Sequence, residues 1–315
     1  MNGAANASNK ESSTGARKSG FLASAVALLW LAPGSAFAGG SQPSAWVSGS
    51  GVNATTCGST SSPCRTFQYA YNNVVAPGGT IYVRDAADYS PIKITHAISI
   101  INDSGGTATI VAVSGYAILV QAVGAFHLKG LTLDGAGEGA NGVNFTGGGS
   151  LTIENCTIKG FAGRAFTGNG ILINPAAGTT QLTVTDSVVS GNASAGILVD
   201  PSKSGAGSGA TAQVFGTLTR VDAVNNETGV LLNGSNNSGG AVSVIASEVN
   251  ASDNIDVGFE ADLHATLFLS RSTATGNGLY GVANFGTVDT YGDNAINGNR
   301  TGNDVIGGLT SVGSR

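Results

Sequence analysis

Residues 142–171 read GVNFTGGGSLTIENCTIKGFAGRAFTGNGI, and this stretch determines the architecture. It begins with a glycine followed by an apolar residue, Gly142-Val143, and a polar turn then leads to a second apolar run at Leu151 to Ile153. Apolar and polar residues alternate in that run, which is typical of a β-strand with one buried face. The glycine–apolar pair returns at Gly170-Ile171, so the stretch holds one complete period of an internal repeat.

The repeat continues toward the C-terminus at irregular intervals. Further glycine–apolar pairs occur at Gly196-Ile197, Gly229-Val230, Gly258-Phe259 and Gly281-Val282. The second apolar runs after the first five pairs are 151–153, 182–184, 217–218, 242–244 and 267–269. Corners rich in Asn and Gly close the periods at 190–192, 225–226, 252–254, 275–277 and 298–299. A strand, a turn, a strand and a corner in each period form one coil of a solenoid, which buries its inward side chains by stacking on its neighbours.

Two other folds with short repeated strands are the alternatives. An antiparallel sandwich favours two-residue hairpin turns and does not predict a repeat over this length. A leucine-rich repeat requires a helical half, which these periods lack. The irregular intervals fit a parallel β-helix, because its corners accept insertions such as residues 202–212. We therefore predict an all-β fold, a right-handed parallel β-helix with a short N-terminal capping helix.

The N-terminal half of the chain carries motifs of a known group. They are Trp46-Val47-Ser48-Gly49, Cys57 with the later run Pro63 to Phe67 (PCRTF), and Gly78 to Val83 (GGTIYV). From Trp46 onward the chain resembles bacterial right-handed parallel β-helix proteins of the pectin-lyase-like fold, in a branch of exported repeat proteins. Members of this fold include lyases, hydrolases, adhesins and plain surface proteins, so the resemblance implies a fold without choosing a function.

Residues 1–38 have the features of a secretory signal peptide. Arg17 and Lys18 precede an apolar run at 21–31, and Ala36-Phe37-Ala38 is a cleavage motif. An uncleaved anchor is the alternative. We predict an exported protein, placed outside the cell, at its surface or in the periplasm, with no membrane span after cleavage. The predicted organisation is a signal peptide (1–38), an N-terminal cap (39–79), a β-helix (80–308) and a C-terminal tail (309–315).

The cap should cover the open apolar end of the first coil. Residues 66–75 are predicted to form a short helix with Thr66 as its N-cap. Cys57 and Cys64 lie seven residues apart and are predicted to form a disulfide in an exported protein, the alternative being two free thiols. Cys156 aligns with the inward positions Leu131, Ser187, Val221, Ser247 and Ser272, which predicts a buried, inert thiol.

The charge of the chain narrows the class of partner. Removing residues 1–38 takes away three basic residues and one acidic residue, so the net charge falls from −5 to −7. Such a chain lacks the clustered Lys and Arg by which proteins bind nucleic acid or anionic membranes. We therefore expect no nucleic-acid partner. The partner predicted instead is a polysaccharide or a cell-surface glycan, and the oligomeric state stays open.

The sequence carries no motif for a cofactor or a metal. Its three histidines, His96, His127 and His264, are far apart and have no zinc-ligand spacing, and no phosphate-binding loop or serine-nucleophile motif occurs. In the fold that this chain resembles, pectate-lyase-type enzymes carry a calcium-binding acidic cluster and polygalacturonase-type enzymes carry close pairs of Asp. Neither pattern occurs in this sequence. We expect no cofactor and no metal.

The candidate catalytic residues come from aligning the second apolar runs. Placing Leu128, Ile153, Val184, Leu218, Val244 and Leu269 in register brings Asp222 beside Glu248 on one outer face, with Asp186 and Arg220 next to them. Two carboxylates separated by roughly 5 Å are typical of a retaining glycosidase. Outward charges on a solenoid are more commonly solvated spacers and surface ion pairs. Tyr and Trp are also scarce in the middle coils. The function expected is a structural, adhesive or glycan-binding module without catalysis, with a polysaccharide lyase or glycoside hydrolase as the alternative.

Overall fold

The structure, a computed structural model, describes residues 40–163, 167–202 and 209–313. In these residues the chain winds into a right-handed parallel β-helix with one α-helix near its N-terminal end, which confirms the predicted fold class. The predicted signal peptide lies outside the described residues. Within the described ranges, no helix is long and apolar enough to cross a membrane.

The elements follow one another in short strands. Up to the fifth coil they are β1 (Gln42–Val47), α1 (Phe67–Asn73), β2 (Val75–Val83), β3 (Ala87–Tyr89), β4 (Ile92–Ile94), β5 (Ile98–Ile101), β6 (Ala108–Val111), β7 (Tyr116–Val120), β8 (Val123–Lys129), β9 (Leu131–Asp134), β10 (Asn141–Phe145), β11 (Gly148–Glu154), β12 (Thr157–Lys159) and β13 (Asn169–Ile173). After them come β14 (Thr179–Ser190), β15 (Ala195–Val199), β16 (Gln213–Val224), β17 (Thr228–Leu232), β18 (Ala241–Ser247), β19 (Val257–Ala261), β20 (Ala265–Ser270), β21 (Thr273–Thr275), β22 (Tyr280–Asn284), β23 (Thr287–Thr290), β24 (Ala295–Asn297), β25 (Val305–Ile306) and β26 (Thr310–Ser311).

The strands form three faces around one core. The first face has the order β1-β2-β5-β8-β11-β14-β16-β18-β20-β23-β26, and the second face has the order β25-β22-β19-β17-β15-β13-β10-β7-β4. The third face is built from β3, β6, β9 and β12, the last residues of β14 and β16, and the pair β21–β24. All pairings are parallel. The parallel sheet therefore includes β1 from the predicted cap and β26 from the predicted tail, because each has a neighbouring strand to pair with.

The glycine–apolar pairs stack as the repeat predicts. Val143 on β10 pairs with Ile171 on β13, and the column continues through Ile197, Val230, Phe259 and Val282. Each of these side chains is fully buried. The second face therefore supplies one wall of the core, and the second apolar runs supply the wall of the first face.

A single left-handed residue bends the chain between the first and third faces. These residues form one column and have φ between 46° and 68°: Gly130, Asn155, Asp186, Arg220, Glu248 and Arg271. Residues other than Gly and Asn rarely adopt this backbone conformation, which costs them about 1 kcal/mol or more. The β-helix accepts that cost because the bend keeps β14 and β16 paired on both sides of the corner.

A ladder of buried asparagines joins the third face to the second. It comprises Asn192, Asn226, Asn254, Asn277 and Asn299, which are at most 6% exposed. The Oδ1 of each later asparagine accepts hydrogen bonds from the backbone N–H and the Nδ2 of the asparagine one coil earlier, at 2.9–3.4 Å. The second Nδ2 donor of the last four reaches a backbone carbonyl of a preceding coil. The buried amides are thus largely satisfied, as buried polar groups must be.

The glycines of the repeat make room for this ladder. A β-carbon added at Gly258 would lie 2.9 Å from Nδ2 of Asn277, and one at Gly281 would lie 2.7 Å from Nδ2 of Asn299. Real β-carbons do not approach other atoms so closely. Glycine is therefore required at these two positions. The space of a side chain is filled by the amide of the next corner together with the backbone carbonyl of Ala251 at Gly258, and with the side chain of Ile296 at Gly281.

The cap has the predicted helix and disulfide. Thr66 is the N-cap of α1, and its side chain accepts a hydrogen bond from the backbone N–H of Tyr69. Tyr71 ties the helix to the first coil, because its hydroxyl accepts from the N–H groups of Thr95 and His96 at 2.6 and 2.7 Å. Cys57 and Cys64 form the disulfide. The helix is two residues shorter at its C-terminal end than predicted, because Val75 joins β2.

The predicted register is wrong by two residues at β18. Leu218 on β16 pairs with Ala246, whereas the sequence alignment of the runs predicts Val244 at that position. The same shift replaces Ser247 by Val249 in the column of Cys156, where the N–H of Val249 donates to Oγ of Ser272 at 3.2 Å. Cys156 itself is buried, as predicted, and burial raises the pKa of its thiol to about 11.

The ladder predicts a large stability loss on truncation of one amide. Asn254→Ala removes the acceptor for two donors of Asn226 and leaves them buried, so it should lower the free energy of unfolding by about 2 to 3 kcal/mol. Chemical denaturation followed by circular dichroism measures this change. Asn303→Ala, at an exposed position, is the matched control and should change it by less than about 0.5 kcal/mol. Equal effects of both substitutions would contradict a stabilising role for the ladder.

Candidate functional site

The four predicted catalytic candidates do not form a carboxylate pair. Asp222 lies beside Asn250 in the third face, and Nδ2 of Asn250 donates to its carboxylate at 3.1 Å. Glu248 lies in the column of left-handed corner residues, beside Arg220 and Arg271. The prediction that Asp222 and Glu248 are register neighbours is therefore wrong, because strands that alternate with a period of two can slip by two residues without exposing their apolar side chains.

The corner column is instead a series of alternating charges. Nε and Nη2 of Arg220 contact the two oxygens of Asp186 at 2.6 and 2.9 Å, and Nη2 of Arg271 contacts Glu248 at 3.2 Å. The hydrogen bonds from Arg220 lower the pKa of Asp186 below its usual range. A carboxyl held ionised in this way is no proton donor, so the column has the properties of a surface ion-pair series.

The outer face of the second sheet has the more unusual chemistry. Its central outward column, given in register from β4 to β25, is Lys93, Leu119, Asn144, Leu172, Leu198, Leu231, Glu260, Ala283 and Ile306. A second column follows the strand ends and comprises Gln121, Thr146, Asn174, Asp200, Asn233, Asp262 and Phe285. Neighbouring members are about 4.8 Å apart, as in any parallel sheet. The face therefore presents two adjacent rows of side chains, one mainly apolar and one mainly polar.

A groove of about 380 Å³ lies at the N-terminal part of this face. Tyr116 and Leu119 contribute apolar surface, and the polar lining includes Gln121, Asn144 and Asn174. Asn144 is only 6% exposed. The Oδ1 atoms of Asn144 and Asn174 are buried and accept no hydrogen bond from the part of the chain that the structure describes. Two acceptor atoms without a partner in the described chain therefore belong to residues that line the groove.

The C-terminal part of the same face is acidic. Burial, together with the negative charges of Asp262, Asp256 and Glu227, raises the pKa of Glu260 to about 7. Burial also raises the pKa of Asp262 and of Asp200. Among the described residues, no Lys or Arg forms a salt bridge with any of these five carboxyl groups. This part of the face therefore disfavours an anionic ligand and holds one carboxyl that is partly protonated at neutral pH.

Sequence reasoning missed this face for a specific reason. Asn144 and Glu260 lie on strands that the repeat predicts, but the local sequence does not show that Asn144 is buried or that the charge of Glu227 acts on Glu260. Across the described ranges, no group of three or more His, Cys, Asp or Glu has the geometry to hold a metal ion.

The comparisons with known proteins support the fold. The crystal structure of pectate lyase Pel9A matches 86% of this chain and 77% of its own chain with a TM-score of 0.53, at 17% sequence identity. At that identity the likeness extends to the parallel β-helix fold alone. No protein-family model and no curated protein sequence matches this chain.

The corner charges generate one prediction. Glu248→Gln and Asp222→Asn should each change the free energy of unfolding by no more than about 0.5 kcal/mol, because exposed ion pairs and surface hydrogen bonds contribute little. Urea denaturation of the parent and both variants measures the change. A loss several times larger in either variant would show that the charged column is needed for folding.

The acidic face generates a second prediction, on the pH dependence of stability. The folded state holds the proton of Glu260 more tightly than the unfolded chain, so ionisation destabilises the folded state as pH rises from about 4.5 to about 7. Glu260→Gln should remove part of that loss. At pH 8 the variant should be more stable than the parent by on the order of 1 kcal/mol, after allowance for solvent screening.

Thermal and chemical denaturation between pH 4 and pH 8 measures the effect. The difference in the free energy of unfolding between variant and parent should shrink toward pH 4.5. At that pH Glu260 is protonated in the folded protein and half protonated in the unfolded chain. Glu138→Gln, on an exposed turn, is the matched control and should leave the pH profile unchanged. A parallel pH profile for Glu260→Gln and the parent would contradict the raised pKa.

Proposed function

We propose that this chain is an exported β-helix module that binds a glycan along its second face without cleaving it. The observation that carries the proposal is the groove at Tyr116, where apolar surface lies beside buried amide oxygens that have no partner in the described chain. Sugar rings present apolar C–H faces and many hydroxyl donors. Sites for such ligands combine an apolar wall with a few fixed polar groups.

The geometry of the face suits a polymer. Leu119 and Asn144 occupy the same outward column on adjacent strands, and Gln121 and Thr146 repeat this relationship two residues further on. A chain with a repeating unit can therefore make similar contacts on successive coils. The strands of this face pair on both sides in their interior, so an added peptide strand has no backbone groups to bind there.

Charge favours a neutral polymer. The five carboxyl groups toward the C-terminal end of the face would repel a polyuronic acid. The structural neighbour is named a pectate lyase, which makes polygalacturonate the necessary comparison ligand. Export is supported by the Cys57–Cys64 disulfide, since disulfides persist in oxidising compartments outside the cytoplasm.

The second candidate function is a carbohydrate-active enzyme, and Glu260 favours it. A carboxyl with a pKa of about 7 keeps a proton at neutral pH and can act as the general acid in glycoside hydrolysis. The second carboxylate of a hydrolase must remain ionised, and burial raises the pKa of Asp262 as well. The binding function therefore agrees better with the charges of the face.

Calorimetric titration with soluble neutral and acidic polysaccharides tests the proposal. Tyr116→Ala and Gln121→Ala should each weaken binding of a neutral glycan about tenfold, which corresponds to ~1.4 kcal/mol. Tyr291→Ala and Gln181→Ala, at exposed positions away from the groove, are the matched controls and should leave binding unchanged. Equal loss in all four variants, or binding of polygalacturonate alone, would contradict the proposal.

The same polysaccharides decide between binding and catalysis. Release of reducing ends and the absorbance of unsaturated products should stay at background for the parent protein. Cleavage that disappears in Glu260→Gln would establish the second candidate function and overturn the first.

A further inference from the structure

A cleft of about 450 Å³ lies beside the second face, where the turns of three successive coils meet. One turn contributes Asn237 and Gly240, the next contributes Leu263 and His264, and the third contributes Phe285. Thr266 and Thr287, which pair in register on β20 and β23, line its rim on the first face. The volume lies within the range of small-ligand sites. None of these residues belongs to the groove at Tyr116.

Asn237 is the polar anchor of the cleft. Its side chain is 1% exposed, and its Nδ2 donates to the backbone carbonyl of Ala212 at 2.8 Å. Its Oδ1 is buried and accepts no hydrogen bond from the described residues. A β-carbon at Gly240 would lie 2.6 Å from the Asn237 side-chain amide, so glycine leaves the space that the amide occupies, and the hydrogen bond to Ala212 orients the amide there. A fixed, unsatisfied acceptor in a cleft is a site for a ligand's O–H or N–H group.

Two apolar side chains form the walls. Phe285 is 52% exposed and Leu263 is 59% exposed, so both present apolar surface to solvent. The N–H groups of Phe285 and Gly286 both donate to the carbonyl of Ala261 at 2.8 Å, which fixes the backbone that carries the ring. His264 also lines the cleft and has a left-handed backbone, with φ of 62°.

We propose that this cleft is a second binding site, which takes one neutral pyranose ring. The ring's C–H face stacks on Phe285 and contacts Leu263, and a ring hydroxyl or acetamido N–H donates to Oδ1 of Asn237. Thr266 and Thr287 supply hydroxyl groups for the rim of the sugar. The described residues that line the cleft include no Lys, Arg, Asp or Glu, so neither a sugar acid nor an amino sugar gains an ion pair with those residue types there.

The site differs from the groove in the ligand it selects. The groove follows a column of equivalent positions and suits an extended chain, whereas the cleft is lined by the turns of three coils and suits a single unit or a chain end. The two sites are separate in their residues, so each can exist without the other.

Nuclear magnetic resonance titration of the folded protein with glucose, galactose, xylose and N-acetylglucosamine tests the proposal. At least one of these sugars should shift the side-chain amide resonances of Asn237 in a saturable way. Phe285→Ala should weaken that binding about tenfold or more, since aromatic contacts dominate such sites. Leu279→Ala, at an exposed apolar position outside the cleft, is the matched control and should leave the dissociation constant unchanged.

Phe285→Trp keeps an aromatic wall and should retain binding, which separates loss of stacking from loss of folding. Tyr116→Ala should also leave the monosaccharide affinity unchanged, even if it abolishes polysaccharide binding in the groove. Failure of every sugar to shift the Asn237 amide would overturn the proposal. Binding that Phe285→Ala leaves intact, or that Tyr116→Ala removes, would overturn it as well.

Discussion

The hydrogen-bonded stack of buried asparagines fixes how each coil lies on the next. Asn192 begins the stack, and its last amide, that of Asn299, donates to the carboxylate of Asp304 at 2.8 Å. Hydrophobic burial favours any stacking of the coils that keeps apolar residues inside, and slips of two residues satisfy that condition equally well. A buried amide does not tolerate such a slip, since its donors and acceptor would lose their partners in a medium of low dielectric constant. The ladder therefore selects one register from several that the core alone would permit.

The ladder also explains which parts of the fold could be predicted from the sequence. Strict alternation, the glycine–apolar pairs and the Asn-rich corners are local features, so they identified the solenoid and its second face. The two-residue error at Val244 arose because alternation was the only guide to register there. The asparagines contain the missing information on register. Each of four residues that pair in the structure precedes a ladder asparagine by eight residues, namely Val184, Leu218, Ala246 and Leu269. Counting from the corner would have placed Ala246 beside Leu218.

The candidate sites are harder to predict from the sequence, because each is formed by residues from several coils. Asn237, Leu263 and Phe285 belong to three different coils, and nothing in their local sequence indicates a common cleft. The raised pKa of Glu260 likewise comes from burial and from nearby negative charges, which include Glu227 in the preceding coil. Asp222 and Glu248, in contrast, were singled out by residue type and an assumed register. The residue type shows where a charge is. The contacts of that charge depend on how the coils stack, and the only sequence signal for that stacking is the spacing of the ladder asparagines.

A solenoid of this kind separates the residues that hold it together from those that can bind a ligand. The inward columns and the ladder make equivalent contacts in successive coils. The residues that repeat in these columns are therefore explained by the fold itself. Side chains outside these columns are under no such constraint. One that is nevertheless buried there, with a polar atom left unpaired, carries a cost to stability. Asn144 and Asn237 are both of this kind within the described chain. Because neither oxygen has a partner in the described chain, substitutions at the two amides best separate an effect on the proposed binding from an effect on folding.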